Sequence, residues 1–112
     1  MIDLNGLCGV TLANADLRNR NGGHIKTDIR SMLKHCATEV VEAMEAYSKV
    51  KYFPQLNLNE QEIEKEHFAS ELADIICCVL IIAGKEKIDI EQAIMGCIEK
   101  NRKRAEGIGD KL

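Results

Sequence analysis

The chain has 112 residues and a net charge of −3, with 29% of residues charged, so nothing global points to nucleic acid or to an anionic membrane. Proline occurs once, tryptophan never, and aromatics make up 4%; with long runs of Ala, Leu, Ile, Glu and Lys, that composition favours helices. The length suits a single domain, 1–112, with a real but modest core.

The segment Met1–His24 is rich in Asn and Gly and ends in Asn21-Gly22-Gly23. It reads as irregular, with at most a short helix around Thr11–Arg20. Its start is neither basic nor continuously apolar, so no signal peptide is visible. Three helices are expected after it, in a core spanning about 26–106. The first runs from about Thr27 to Lys51, because Ile29, Leu33, Cys36, Val40, Ala43, Met44 and Tyr47 recur at steps of three and four. Pro54, in the stretch Tyr52–Leu58, ends it. The second opens at Asn59, with Glu62 three residues on as a capping box, and continues to about Ala83 with Gly84 as its closing residue. The third opens at Asp89, with Gln92 three residues on, and runs to about Ala105 before Gly107 and Gly109 loosen the tail.

The stretch Leu72–Ala83 is apolar nearly all round, interrupted by Asp74. Such a helix must be covered on every side, and two other helices of a small chain cannot easily do that. A homo-oligomer with this helix at its centre follows. The expected class is therefore all-α, an antiparallel helical bundle whose four-helix core is completed by oligomerisation. The longest unbroken apolar run, Ile75–Ala83, falls well short of the ~20 residues that span a bilayer. Cys8, Cys36, Cys77, Cys78 and Cys97 are odd in number, and none has the CxxC spacing of a zinc or redox motif. They read as reduced core thiols, and the cytoplasm is the expected compartment.

Chemistry enters with four acids. Glu39 and Glu42 stand three apart on one face of the first long helix, and Glu71 and Asp74 repeat that spacing in the second. Both pairs interrupt apolar stripes, whereas Glu60, Glu62, Glu64 and Glu66 read as a solvated face. The pairs are equidistant from the middle of the Tyr52–Leu58 turn, so an antiparallel hairpin sets them side by side. Four carboxylates at one level repel unless a cation sits among them, and an all-oxygen donor set suits Mg²⁺, Mn²⁺ or Ca²⁺. The third helix closes on Lys100-Asn101-Arg102-Lys103-Arg104. Lys100 and Arg104 share a face, and such side chains beside a divalent cation suit a polyphosphate. There is no glycine-rich phosphate loop.

Glu39-Val-Val-Glu42 followed by Glu71-Leu-Ala-Asp74 resembles the ExxE…ExxD signature of the MazG-like all-α nucleoside triphosphate pyrophosphohydrolases, a group that includes the dimeric dUTPases and the dCTP pyrophosphatases. The basic Lys100–Arg104 segment is similar to the one that follows the ExxD helix there. The resemblance implies Mg²⁺ held by Glu39, Glu42, Glu71 and Asp74, with a carboxylate of the first pair, Glu39 or Glu42, acting on the attacking water. It implies cleavage of the α–β phosphoanhydride of a nucleoside triphosphate. Lys100 and Arg104 would neutralise phosphate charge, Asn101 would contact sugar or base, and the chain would form a dimer or tetramer. A stacked base would rely on Tyr47, Tyr52, Phe53 or histidine.

Two other classes fit less well. A ferritin-like di-iron bundle needs Glu-x-x-His on two helices, and Glu64-Lys-Glu-His67 is the single instance; His24, His35 and His67 read as surface or capping residues. A non-catalytic oligomerisation or regulatory module would have little reason to keep an acidic cluster that costs stability.

Overall fold

The computed structural model describes residues 2–23, 28–52 and 57–107, with the backbone alone for 50–52. Among these, the chain is all-α, in the order α1 (Leu4–Arg20), α2 (Ile29–Tyr52), α3 (Leu58–Lys85) and α4 (Ile90–Ala105). The expected helix ends at Thr27 and Pro54, together with His24, Phe53 and Gly109, lie outside the described residues.

The largest departure from the sequence reading is α1. Residues expected to be irregular form a 17-residue helix that starts seven positions before Thr11. Its ends explain this. Asp3 accepts from the Gly6 N–H at the start, and at the far end Gly22 adopts φ 93° while the Gly23 N–H closes on the Arg18 carbonyl at 2.8 Å. That glycine-terminated closure satisfies carbonyls the helix would leave bare. A second set of bonds comes from far along the chain. Glu91 Oε1 accepts from the N–H groups of Leu4 (2.8 Å) and Asn5 (3.3 Å). In return Asn5 Oδ1 accepts from Ile90 (3.1 Å) and Glu91 (3.4 Å). The N-termini of α1 and α4 thus cap each other. Asp89, the N-cap of α4, accepts from Gln92 as its spacing predicts, and its bond from the Asn5 amide, together with the Gln92 N–H, holds its carboxyl below the usual range. Asn5→Ala removes the shared acceptor and is expected to cost about 1 kcal/mol in a urea titration; an unchanged midpoint would show that the clasp contributes nothing.

α2 and α3 form the main helical pair. Tyr47 packs its ring on Phe68 at 5.3 Å, and Cys36 lies against Cys78. Partners on α3 rise in number as those on α2 fall, so the pair is antiparallel. Ala43 and Ala46 are buried in it. α3 opens at Asn57, not Asn59: Asn57 Oδ1 accepts from the Glu60 N–H at 2.8 Å. The cap thus sits two residues upstream of the expected one, and Glu60 Oε1 in turn accepts from the Asn57 side-chain amide.

Gly84 does not close α3. The helix continues to Lys85, and Lys87, at φ 55°, makes the left-handed turn while the Ile88 N–H bonds the Ala83 carbonyl at 2.9 Å. Gly84 instead serves packing: a Cβ there would sit 2.8 Å from the Cys8 carbonyl oxygen. α1 lies that close to α3 along the small cluster of Cys8, Leu80 and Ala83, with Ile90 against it. Gly84→Ala is expected to destabilise by about 1–3 kcal/mol despite its better helix propensity, because α1 has to move off. Thermal unfolding measures it, and a stabilised variant would refute the close approach.

The chain is open for its size. Its radius of gyration is 17.4 Å, against about 13 Å expected for a compact chain of this length. It exposes 8585 Å², against ~6,200 Å² for a folded monomer of 12.5 kDa. Large apolar side chains on α2, α3 and α4 are solvent-facing, among them Val41 (53%), Met44 (66%) and Ile76 (56%). By length and composition α3 could also cross a membrane, although Glu71 and Asp74 sit in its middle.

Candidate metal centre

The α2–α3 pairing carries the acids to one level. One carboxylate oxygen from each of Glu39, Glu42 and Glu71 lies within 4.8 Å of the others. Asp74 is outside that triplet, but near enough for its charge to act on Glu39 and on Cys78. Glu39 and Glu71 are mostly covered, their side chains 12% and 16% exposed, and Glu42 faces solvent.

Burial pushes the Glu39 carboxyl above the usual carboxylate range. The Glu42 charge and a hydrogen bond shared with Glu42 add to this, His35 pulls the other way, and Asp74 adds a further push. That combination of desolvation and like charge is what a cation would relieve. A second observation adds to this: Glu39 Oε2 and Glu71 Oε2 are buried without a hydrogen-bond partner. Buried polar atoms are ordinarily satisfied, and bare carboxylate oxygens on two members of an acidic cluster suit a hard cation. The residues present therefore fit a divalent metal. Glu64 Oε2 is also buried and unpartnered, but it stands two helical turns away from Glu71 along α3, outside the triplet.

Below the acids, Cys36 and Cys78 meet across the two helices. Burial first, then the neighbouring Cys36, Glu39 and Asp74, push the Cys78 thiol up to about 12, so it stays protonated and poorly reactive. All five cysteines are free, with Cys8 buried and Cys77 and Cys97 exposed.

The helix that carries the basic residues makes no extensive contact with either helix that carries the acids. α4 packs on α1, while α2 and α4 share no extensive contact. Asn101 Nδ2 approaches Cys97 Sγ at 3.7 Å. Arg102 is held by Glu99 (2.6 Å) and Glu106 (2.7 Å). Lys100 is exposed and Arg104 half-buried on the same helix.

His35 and His67 lie at the surface, as the sequence reading has it, and each stands beside an acid of the cluster: His35 Nε2 lies 3.2 Å from Glu39 Oε1, and His67 Nε2 lies 3.2 Å from Glu71 Oε1. The signal was legible. Each histidine stands four residues before the first acid of its pair, so His-x-x-x-Glu-x-x-Glu on α2 is repeated as His-x-x-x-Glu-x-x-Asp on α3.

No curated protein and no solved structure matches the chain. The family model of the MazG nucleotide pyrophosphohydrolase domain matches residues 27–108, which takes in α2, α3 and α4 and leaves α1 outside. With that match over most of its length, and an all-helical fold that gathers the acids of α2 and α3, the chain belongs to the MazG nucleotide pyrophosphohydrolase family.

Proposed function

We propose that this protein is a Mg²⁺-dependent nucleoside triphosphate pyrophosphohydrolase that releases a nucleoside monophosphate and pyrophosphate, acting as a cytoplasmic homo-oligomer. The observation that carries the reading is the Glu39–Glu42–Glu71 triplet, with two of its oxygens buried and bare. Glu39, Glu42, Glu71 and Asp74 would hold Mg²⁺, or Mn²⁺ in its place. When bound, the cation neutralises the triphosphate and polarises the α–β anhydride.

The chain's own residues do the rest. Glu42, the solvent-facing member of the cluster, orients the attacking water and takes its proton, while Glu39 and Glu71 stay fixed by burial. Lys100 and Arg104 offset charge on the phosphates, and Asn101 contacts sugar or base. Tyr47, partly exposed beside Phe68, offers a ring to the base. Because α4 lies on α1 and away from the acids, the basic residues reach the site from a second copy. The same copy covers the exposed apolar faces: the surplus of roughly 2,400 Å² over a compact monomer is the scale of a stable oligomer interface. Lipid would be a poor cover, since it would leave Glu71 and Asp74 in hydrocarbon.

The deciding experiment is a panel of canonical and modified nucleoside triphosphates, assayed for pyrophosphate with and without Mg²⁺. Metal-dependent release from at least one of them supports the reading. No turnover on the whole panel would return the protein to a non-catalytic helical module.

A further inference from the structure

The reaction proposed above leaves Cys36 and Cys78 without a task. Both are free and half-buried, and they meet across the seam between α2 and α3. The register of the two helices independently sets them face to face. Tyr47 packs on Phe68; Cys36 stands eleven positions before Tyr47, and Cys78 stands ten positions after Phe68. An antiparallel pair therefore carries both cysteines to one level, about three turns further along the seam. Ala43 and Ala46, buried in that seam, have no bulk to hold the two backbones apart.

We propose that Cys36 and Cys78 are a redox modification site, which a hydroperoxide joins as a reversible disulfide stapling α2 to α3 one turn from Glu39 and Asp74. The bond does not depend on the metal-site reading above. Cys78 is held as a thiol by its surroundings, so Cys36 is the sulfur that meets the oxidant. With hydrogen peroxide, the Cys36 sulfur takes one oxygen as the O–O bond breaks, giving a sulfenic acid and one water. Cys78 Sγ, already against it, then displaces that oxygen. The S–O bond breaks as the S–S bond forms, and the Cys78 proton leaves with the hydroxyl as a second water. Two sulfurs are oxidised and one peroxide is reduced. Contact is what lets a poorly reactive thiol serve, because a held neighbour needs no diffusive encounter. Cys8 has no such access, being packed against Leu80 and Ala83, while Cys77 and Cys97 are exposed and are the competing targets.

The test treats the full chain with hydrogen peroxide, blocks the remaining thiols by alkylation and maps any linkage by mass spectrometry. The expected product is a single chain with one disulfide between the Cys36 and Cys78 segments, reversed by dithiothreitol. Cys36→Ser and Cys78→Ser should each abolish that linkage, whereas Cys77→Ser should keep it. The linked protein should melt about 5 °C or more above the reduced one without metal, because the bond closes a long loop of the unfolded chain. A linkage that survives Cys78→Ser, or one that forms only between copies through Cys77 or Cys97, would overturn the assignment. So would sulfinic acid at Cys36 with no linkage, or a linked chain that melts no higher than the reduced one. Each readout is independent of turnover, so failure of the proposed hydrolysis leaves this inference standing, and its own failure leaves the hydrolysis untouched.

Discussion

Glu42→Gln is expected to lower pyrophosphate release more than about a hundredfold, the upper end of what the loss of a mere outer partner causes, and to leave the metal-free protein at least as stable as the parent. Glu42 is exposed, so an amide of nearly the same shape opens no cavity. It removes the charge and the shared hydrogen bond that, after burial, push Glu39 up. The pH dependence follows with a definite sign. Glu39 has a folded-state pKa above its ordinary value of 4.5, so the native state binds its proton more readily than the unfolded chain does. Stability in the metal-free protein is therefore fully present below 4.5 and is lost as pH rises through the raised value. Glu42→Gln should flatten that fall. Saturating Mg²⁺ should oppose it in the parent, by about 2.7 kcal/mol at a hundred times the dissociation constant. Melting curves from pH 4 to 8, with and without Mg²⁺, measure all three effects. A Glu42→Gln protein that unfolds would mean the carboxylate is part of a structural ion pair and not of a metal centre.

The hairpin and its acids were legible because they break a pattern. Apolar residues at three- and four-residue steps announce α2 and α3, and a carboxylate inside such a stripe needs a reason. The helix starts were half legible. Asn57 and Asn59 each have a glutamate three residues on, so two capping boxes compete in the same stretch, and nothing local chooses between them. The structure takes the earlier one and lengthens the helix. Gly84 carried a false signal, since a glycine near a helix end reads as a closing residue when its purpose is to let the Cys8 backbone approach. α1 was the least legible element. Its Asn and Gly content argues against a helix, and what overrides that propensity includes Glu91, which lies more than eighty positions away. His35 and His67 were readable as a repeated spacing, but a lone exposed histidine invites no search for a partner. The placement of α4 could not be read at all, because the pattern shows which of its faces is apolar and not which neighbour it meets.

That placement leads to the second large effect, recovery of activity by mixing two dead proteins. Glu42→Gln lacks a working acidic cluster, and Lys100→Ala/Arg104→Ala lacks the cations that offset the triphosphate; each alone is expected to show almost no turnover. In the structure the acids belong to the α2–α3 pair and the cations to α4, which lies on α1. If each site draws its acids from one copy and its cations from another, a mixed pair contains one site in which both are intact. Random reassortment of a two-fold dimer then yields about a quarter of the parental activity from an equal mixture. Unfolding and refolding the two variants together, against refolding them apart, supplies the comparison. Recovery requires that the copies meet through the exposed apolar faces of α2, α3 and α4, so it should be lost in Ile76→Glu, which sets a charge on the uncovered side of α3. Absence of recovery in a mixture shown by sedimentation to contain mixed oligomers would place acids and cations of one site on the same chain. α4 would then have to swing from α1 towards α2, breaking the Asn5–Glu91 clasp to get there.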